Sequence, residues 1–169
     1  MALRLALTET KVKPGRNRSW LARENDTKES PSKPIRMTTI ECRYSGNLHC
    51  DARHGPSGQH LQTDAPKDHD GLGQTFSPTD LLATSLGTCV LTVIGITAKR
   101  RQWNVEGASA RVTKMMTPEG PRKIACLKVD VHLPEQCSPD QRRLLMRMAE
   151  DCPVKRNLEG ALTIELNWT

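Results

Sequence analysis

The chain has 169 residues, 25 Lys and Arg against 19 Asp and Glu, and only 3% aromatic residues. This length fits one domain of ordinary size, whose core must be built from aliphatic and small side chains. A net charge of +6 is typical of proteins with anionic partners, but residues 1–36 hold nine Lys or Arg and four Asp or Glu. Residues 37–169 therefore carry a net charge of only +1 and few rings, which argues against nucleic-acid binding.

The basic segment, residues 1–36, is predicted to be a disordered extension because Pro and Gly interrupt it and no apolar period is sustained. Its apolar start is split by Arg4 and lacks a small-residue cleavage site, so we expect a cytoplasmic protein rather than a secreted one. In a reducing compartment, the six cysteines of the chain are expected to be free thiols. We predict one folded domain over residues 37–169.

The first part of this domain is typical of antiparallel strands. Alternation over residues 39–44 and 48–52, with the turn residues Ser45, Gly46 and Asn47 between them, predicts a β-hairpin. A third strand is predicted over residues 60–63. The following segment, 64–74, is rich in Asp, Pro and Gly and is predicted to be a loop.

A long uncharged helix is predicted next. Ser77 is placed as its N-cap, Pro78 at its first position and Asp80 three residues after the cap, which is the arrangement of a capping box. Residues 81–98 carry no charge and meet the length test for a membrane span, but their Thr, Ser and Gly content favours the core helix of a packed protein. A domain of this size cannot easily bury every side of such a helix, so we predict a homodimer and no membrane partner.

The remaining elements complete an α+β pattern. Alternation predicts strands over 105–116 and 123–133, joined by a hairpin loop over 117–121. Ser138 and Pro139 begin a second helix that extends to Asp151 and is ended by Cys152 and Pro153. Residues 157–160 are predicted as a turn or helical stub, and 162–168 as a closing strand. The predicted order is βββ-α-ββ-α-β.

Two cysteines occupy special positions in this pattern: Cys89 lies within the long helix and Cys152 lies at a helix end. Taken alone, each is typical of a packed small apolar residue. Residues 76–89, with the sequence FSPTDLLATSLGTC, are followed about sixty residues later by AEDCPV at 149–154. Together with the loop from Asp64-Ala65-Pro66 to Gly73 and the strand order, these segments resemble the OsmC/Ohr family of thiol peroxidases.

The resemblance covers residues 37–169 and implies an intertwined homodimer in which sheets wrap two long central helices. It implies that Cys89 is the peroxidatic cysteine and Cys152 the resolving cysteine of a peroxidase that acts in oxidative-stress defence. Organic or hydrogen peroxides are the implied substrates, and a dithiol or a lipoylated protein is the implied reductant. No cofactor is implied.

A peroxidatic thiol must ionise near neutral pH, which requires a cation or strong hydrogen-bond donors beside it. In the family, a Glu just after the helix-opening Pro and an Arg from the early strands supply this setting. The Glu position holds Thr79 here, with Asp80 one residue further on. Arg43 and Arg53 are the nearest candidates for the Arg, and Arg53 is preferred.

Two other functions are compatible with the sequence. The first is a zinc site in the His49–His69 region, because imidazole, thiolate and carboxylate ligands are frequent there, although no recognised zinc spacing is present. Its candidate ligands are His49, Cys50, His54, His60 and His69, with Asp64, Asp68 and Asp70. The second is an OsmC-like fold that binds a ligand or partner without peroxidase turnover.

Overall fold

The structure is a computed structural model, and it describes residues 37–169. The predicted disorder of residues 1–36 lies outside the described residues. Residues 37–169 form six strands, three α-helices and one short 3₁₀ turn at Lys67–His69. These are β1 (Ile40–Gly46), β2 (His49–His54), β3 (His60–Asp64), α1 (Pro78–Arg100), β4 (Ser109–Met116), β5 (Ile124–His132), α2 (Pro139–Ala149), α3 (Pro153–Leu158) and β6 (Thr163–Trp168). The α+β class and the predicted order βββ-α-ββ-α-β are confirmed, with α3 as an additional helix before the last strand.

Both long helices begin with the caps that the sequence predicts. The hydroxyl of Ser77 accepts a hydrogen bond from the backbone N–H of Asp80, and the Asp80 carboxylate accepts one from the Ser77 N–H. Ser138 and Gln141 form the same reciprocal pair at the start of α2. Each box satisfies two amide groups that have no partner within the helix.

The strands form two separate three-stranded sheets. The first is an antiparallel meander in the order β1-β2-β3, and the second has the order β4-β5-β6. Strand β5 pairs antiparallel with β4 and parallel with β6, because α2 and α3 form the crossover that returns the chain to the same end of the sheet.

The core lies between the second sheet and the helices. Strand β5 is central in its sheet and contributes Leu127, Val129 and Val131, all fully buried. Helix α1 contributes a row of fully buried side chains, and α2 packs against α1. Full burial of an aliphatic side chain of this size stabilises a fold by about 1.5–3 kcal/mol. The fully buried residues of the two helices are Leu86, Val90, Ile94, Leu145 and Ala149.

Helix α1 is buried along one side only within this single chain. Thr88, Thr92 and Ile96 lie four residues apart on its opposite side and are exposed. Among residues 37–169, this helix is the one that is long and apolar enough to cross a membrane. Core helices of soluble proteins pass the same test, and α1 packs against β4, β5, α2 and α3.

Two boundaries differ from the predicted ones by four residues, and the others by no more than two. Strand β4 begins at Ser109 rather than at residue 105, because the Asn104 side chain accepts the Glu106 N–H and Gly107 adopts a φ of +90°, which together form a turn. Helix α3 begins directly at Pro153, where only a turn or stub over 157–160 was expected. Proline ends a preceding helix but is also favoured at the first position of a new one.

Candidate functional site

The structure brings Cys89 and Cys152 together. Cys89 lies in the middle of α1, and Cys152 lies at the corner between α2 and α3, both of which pack on α1. The side chain of Cys89 lies near enough to Cys152 to raise the pKa of its thiol. Cys152 is fully buried, whereas Cys89 is only partly buried. Two thiols in contact can exchange a proton and can form a disulfide with little movement of the chain.

The position of Cys152 is fixed by backbone hydrogen bonds on both sides. Its N–H donates to the carbonyl of Ala149 at 3.0 Å, which closes the last turn of α2. Its carbonyl accepts the N–H of Arg156 at 3.0 Å, which opens the first turn of α3. Pro153 occupies the first position of α3. The two short helices therefore hold this cysteine against the middle of α1.

The surroundings of Cys152 suppress the ionisation of its thiol. Burial raises the pKa of Cys152 above its ordinary value, and the neighbouring Cys89 side chain raises it further. The backbone N–H groups of Lys155 and Val154 act in the opposite direction without reversing the shift. Cys152 therefore holds its proton.

The other four cysteines do not join this pair. All six cysteines of residues 37–169 are free thiols, with Cys42 exposed, Cys126 buried in β5, and Cys137 buried just before α2 in the same core cluster as Cys152. In the first hairpin, Cys42 lies opposite Ala52 and Cys50 lies opposite Tyr44, so these two cysteines are not cross-strand neighbours. Free cysteines in such positions are typical packing or surface residues.

Thr79 and Asp80 are held by a lysine that sequence reasoning missed. Lys114 of β4 donates from Nζ to Thr79 Oγ1 at 2.7 Å and to Asp80 Oδ1 at 2.6 Å. Burial raises the pKa of Asp80, but hydrogen bonds from Lys114 and Ser77 outweigh it and hold that pKa below its ordinary value. Cys89 follows nine residues later, about 14 Å along the helix axis. Within one chain, this network lies apart from the cysteine pair.

Arg53 is also placed away from the cysteine pair within one chain. Its guanidinium lies 3.7 Å from the carboxylate of Glu41 on the adjacent strand, and both side chains are largely exposed. Strands β1 to β3 contact chiefly one another, so the helix that carries Cys89 is not their main neighbour.

A groove runs along a different side of α1. Its volume is approximately 1070 Å³, and it lies between α1, β4 and the segment 73–76. Phe76, Leu91 and Val112 supply apolar walls, and Arg111 and Lys114 supply cations. At about 100° of rotation per residue, the helix residues that line it point away from the side that bears Cys89. The groove and the cysteine pair are therefore two separate features.

The histidines of the first sheet do not assemble a metal site. Within residues 37–169, no three His, Cys, Asp or Glu side chains lie close enough together to hold a metal ion. His49 and Asp64 are cross-strand partners whose Nε2 and Oδ1 atoms are 3.8 Å apart. His54 instead hydrogen-bonds Ser57, and Asp68 pairs with Arg122. The structure gives no support to the zinc alternative.

Comparison with known proteins finds one matching family model, described as OsmC-like protein, over residues 70–167. A candidate osmotic stress induced and detoxification response protein from Psychrobacter arcticus 273-4 is 34% identical, with a TM-score of 0.73. The match covers 80% of this chain and 98% of that one. A search of curated proteins finds no match.

Two more distant structures share the fold. The organic hydroperoxide resistance protein OsmC from Legionella pneumophila is 20% identical, with a TM-score of 0.63 and coverage of 81% of this chain and 99% of that one. A candidate organic hydroperoxide resistance protein from Vibrio cholerae, with captopril bound in one of its active sites, is 19% identical with a TM-score of 0.64. That match covers 82% of this chain and 95% of the other. At these identities the likeness shows the fold alone.

Proposed function

Since the chain belongs to the OsmC-like protein family, we propose that it is a thiol-dependent peroxidase with Cys89 as peroxidatic and Cys152 as resolving cysteine. Two fold relatives are described as organic hydroperoxide resistance proteins, one of them as a candidate, which agrees with a peroxide-related role in oxidative-stress defence. The observation that carries the proposal is the contact between these two thiols, one partly exposed and one fully buried.

The raised pKa of Cys152 supports this division of roles. A nucleophilic cysteine reacts as its thiolate, and a resolving cysteine must wait until the first has reacted. Burial, together with the neighbouring Cys89 side chain, raises the pKa of Cys152, so this thiol keeps its proton. Cys89, the partly exposed cysteine of the pair, is therefore assigned as the nucleophile.

The proposed reaction has two chemical steps before reduction. The Cys89 thiolate attacks the terminal peroxide oxygen, the O–O bond breaks, and an alcohol or water leaves after taking up a proton. Cys89 is then a sulfenic acid, which condenses with the Cys152 thiol to give a disulfide and one water molecule. A dithiol or a lipoylated protein returns the two electrons and two protons.

A homodimer completes this proposal. The exposed side of α1 carries no charged residue from Leu81 to Ala98, and the first sheet leaves Ile40 and Tyr44 about 60% exposed. An apolar helix face and an apolar sheet face that lack a partner within the chain fit a second copy, in which each sheet covers the other chain's helix. Cys89 borders the exposed side of α1, so this assembly would bring residues of the partner near it.

Support for the Cys89 thiolate follows from that assembly. Within one chain Arg53, Thr79 and Asp80 lie away from the cysteine pair, as described above. If they stabilise the thiolate, they do so across the dimer interface, where Arg53 is the one cation among them. The cytoplasm, as a reducing compartment, is the proposed location because the cycle ends in a thiol-dependent reduction.

A ligand-binding role without turnover is the second candidate, and the groove of approximately 1070 Å³ beside α1 is the observation that favours it. Peroxide consumption coupled to dithiothreitol or dihydrolipoamide distinguishes the two. We expect Cys89→Ser to reduce the rate to background because the nucleophile is lost, and Cys42→Ser, the exposed cysteine of the first hairpin, to leave it unchanged. An unchanged rate in Cys89→Ser would contradict the peroxidase proposal.

A further inference from the structure

The two sulfur atoms of the site lie at different depths. Cys152 is fully buried against the core, and Cys89 lies outside it, partly exposed. Of the two residues, Cys89 is therefore the one with exposed surface. A disulfide between them would join a buried cysteine to a partly exposed one.

This difference in exposure decides which of the two sulfur atoms a reductant can attack. Thiol–disulfide exchange proceeds by a thiolate that approaches one sulfur in line with the S–S bond and expels the other sulfur. Cys89 is partly exposed and can be approached at its surface. Cys152 has no exposed surface and belongs to the packed core, so a thiolate approaching its sulfur would have to displace core side chains.

We propose that the external reductant attacks the sulfur of Cys89, so that the mixed disulfide forms on Cys89 and Cys152 is the leaving group. The inference rests on the proposed function, because it concerns the step that regenerates the reduced pair. It also assigns Cys89 to both halves of the cycle, since peroxide and reductant react at the same sulfur atom.

The surroundings of Cys152 suit a leaving group. The backbone N–H groups of Lys155 and Val154 lower its pKa, so a thiolate released there meets two donors before it is protonated. Burial destabilises that thiolate more than the two donors stabilise it, so the pKa of Cys152 stays raised. The released thiolate therefore takes up a proton from the reductant. Access rather than leaving-group acidity therefore selects the sulfur that is attacked.

The electrons and atoms of this step balance. A reductant thiolate forms one S–S bond to Cys89 while the bond between Cys89 and Cys152 breaks, and Cys152 takes up the proton that the reductant released. The second thiol of a dithiol reductant then attacks the mixed disulfide and expels the Cys89 thiolate. The dithiol leaves as a cyclic disulfide, having lost the two electrons and two protons that the protein gained.

The experiment starts from protein oxidised with azodicarboxamide, which forms disulfides without any peroxide and is itself reduced to the hydrazine. The remaining free thiols are blocked with light N-ethylmaleimide. A limiting amount of the monothiol 2-mercaptoethanol is then added, and the reaction is quenched with heavy N-ethylmaleimide. Tryptic peptides are analysed by mass spectrometry, since the two cysteines fall in different peptides, ended by Lys99 and Lys155.

The proposal predicts the mercaptoethanol adduct on the Cys89 peptide and the heavy label on Cys152. The reverse distribution, an even one, or failure to form the disulfide would overturn it. Cys152→Ser and Cys89→Ser proteins supply reference adducts for each peptide. Failure of the proposed function has a different signature: the peroxide would leave the thiols intact, while azodicarboxamide would still give the disulfide and the predicted adduct.

Discussion

The carboxylate of Asp64 is fully buried, yet only one of its oxygens has a hydrogen-bond donor within residues 37–169. Oδ2 accepts the N–H of Gln74 at 2.9 Å, which ties the two ends of the loop together. Oδ1 faces Nε2 of His49 at 3.8 Å. Nδ1 of that histidine donates to the carbonyl of Asn47, so Nε2 carries a proton only in the imidazolium form. A buried polar atom without a donor destabilises a fold.

This geometry gives a prediction for acid stability. The hydrogen bond from Gln74 holds the pKa of Asp64 below its ordinary value of 3.8 despite burial, and His49 contributes in the same direction. A carboxyl whose folded pKa is depressed stabilises the fold above its unfolded pKa, and this contribution is lost as the pH falls. We expect the free energy of unfolding, measured in urea from about pH 5 to pH 3, to fall less steeply in Asp64→Asn than in the wild type.

The matched control is Asp70→Asn, which removes an exposed carboxylate from the same loop. In this variant the free energy of unfolding should fall with pH as steeply as in the wild type. Equal slopes for Asp64→Asn and the wild type would contradict the stabilising role assigned to the ionised carboxylate.

Residue-level prediction from the sequence succeeded unevenly. Cys89 and Cys152 were selected by resemblance, since each alone is typical of a packed cysteine, and the structure places them in contact. Lys114 was missed, although a signal for it exists. It alternates with Val112 and Met116 on the inward side of β4, and an inward lysine in a strand needs a carboxylate partner.

At the level of elements, the crossing of α1 and β4 depends on one glycine. A Cβ on Gly87 would lie 2.7 Å from Cγ2 of Val112, closer than real Cβ contacts occur. We expect Gly87→Ala to destabilise the fold by about 1–3 kcal/mol through overpacking, even though alanine is the better helix former by about 1 kcal/mol. Urea unfolding with far-UV circular dichroism measures the difference.

The control is the double variant Gly87→Ala with Val112→Ala. Removing the valine methyl groups makes room for the new Cβ, so the combined loss should be smaller than the sum of the two single losses. If the two single losses in the free energy of unfolding simply add in the double variant, contact with Val112 is not the reason that residue 87 must be glycine.

Element boundaries show what local patterns can and cannot predict. The caps at Ser77 and Ser138 were predictable because a capping box is formed by residues three apart in the chain. The pairing of β5 with β6 is parallel and joins strands separated by two helices, so no local signal specifies it. Helix α3 was missed because the proline that ends α2 also begins α3.

At the level of the whole molecule, the uncharged, exposed side of α1 is the proposed interface with a second copy of the chain. Ile96 is 47% exposed on that side, in a helix that is otherwise the centre of the fold. We expect the wild type to have the mass of a dimer by light scattering at micromolar concentration. Ile96→Glu should shift the mass toward the monomer, because it places a charge in the proposed apolar interface.

Arg147→Glu is the control for this prediction. It changes the charge at an exposed position on α2, away from the proposed interface, and should leave the dimer intact. A monomeric wild type, or an Ile96→Glu protein with an unchanged dimer mass, would contradict the proposed interface.

The central claim is that one peroxide molecule oxidises one pair of thiols. The direct measurement adds one equivalent of tert-butyl hydroperoxide to the reduced protein without reductant and then counts free thiols and maps disulfides. We predict the loss of two thiols per chain, joined as a disulfide between Cys89 and Cys152, and a sulfenic acid on Cys89 in the Cys152→Ser variant. Retention of all free thiols, or a disulfide between other cysteines, would contradict the account.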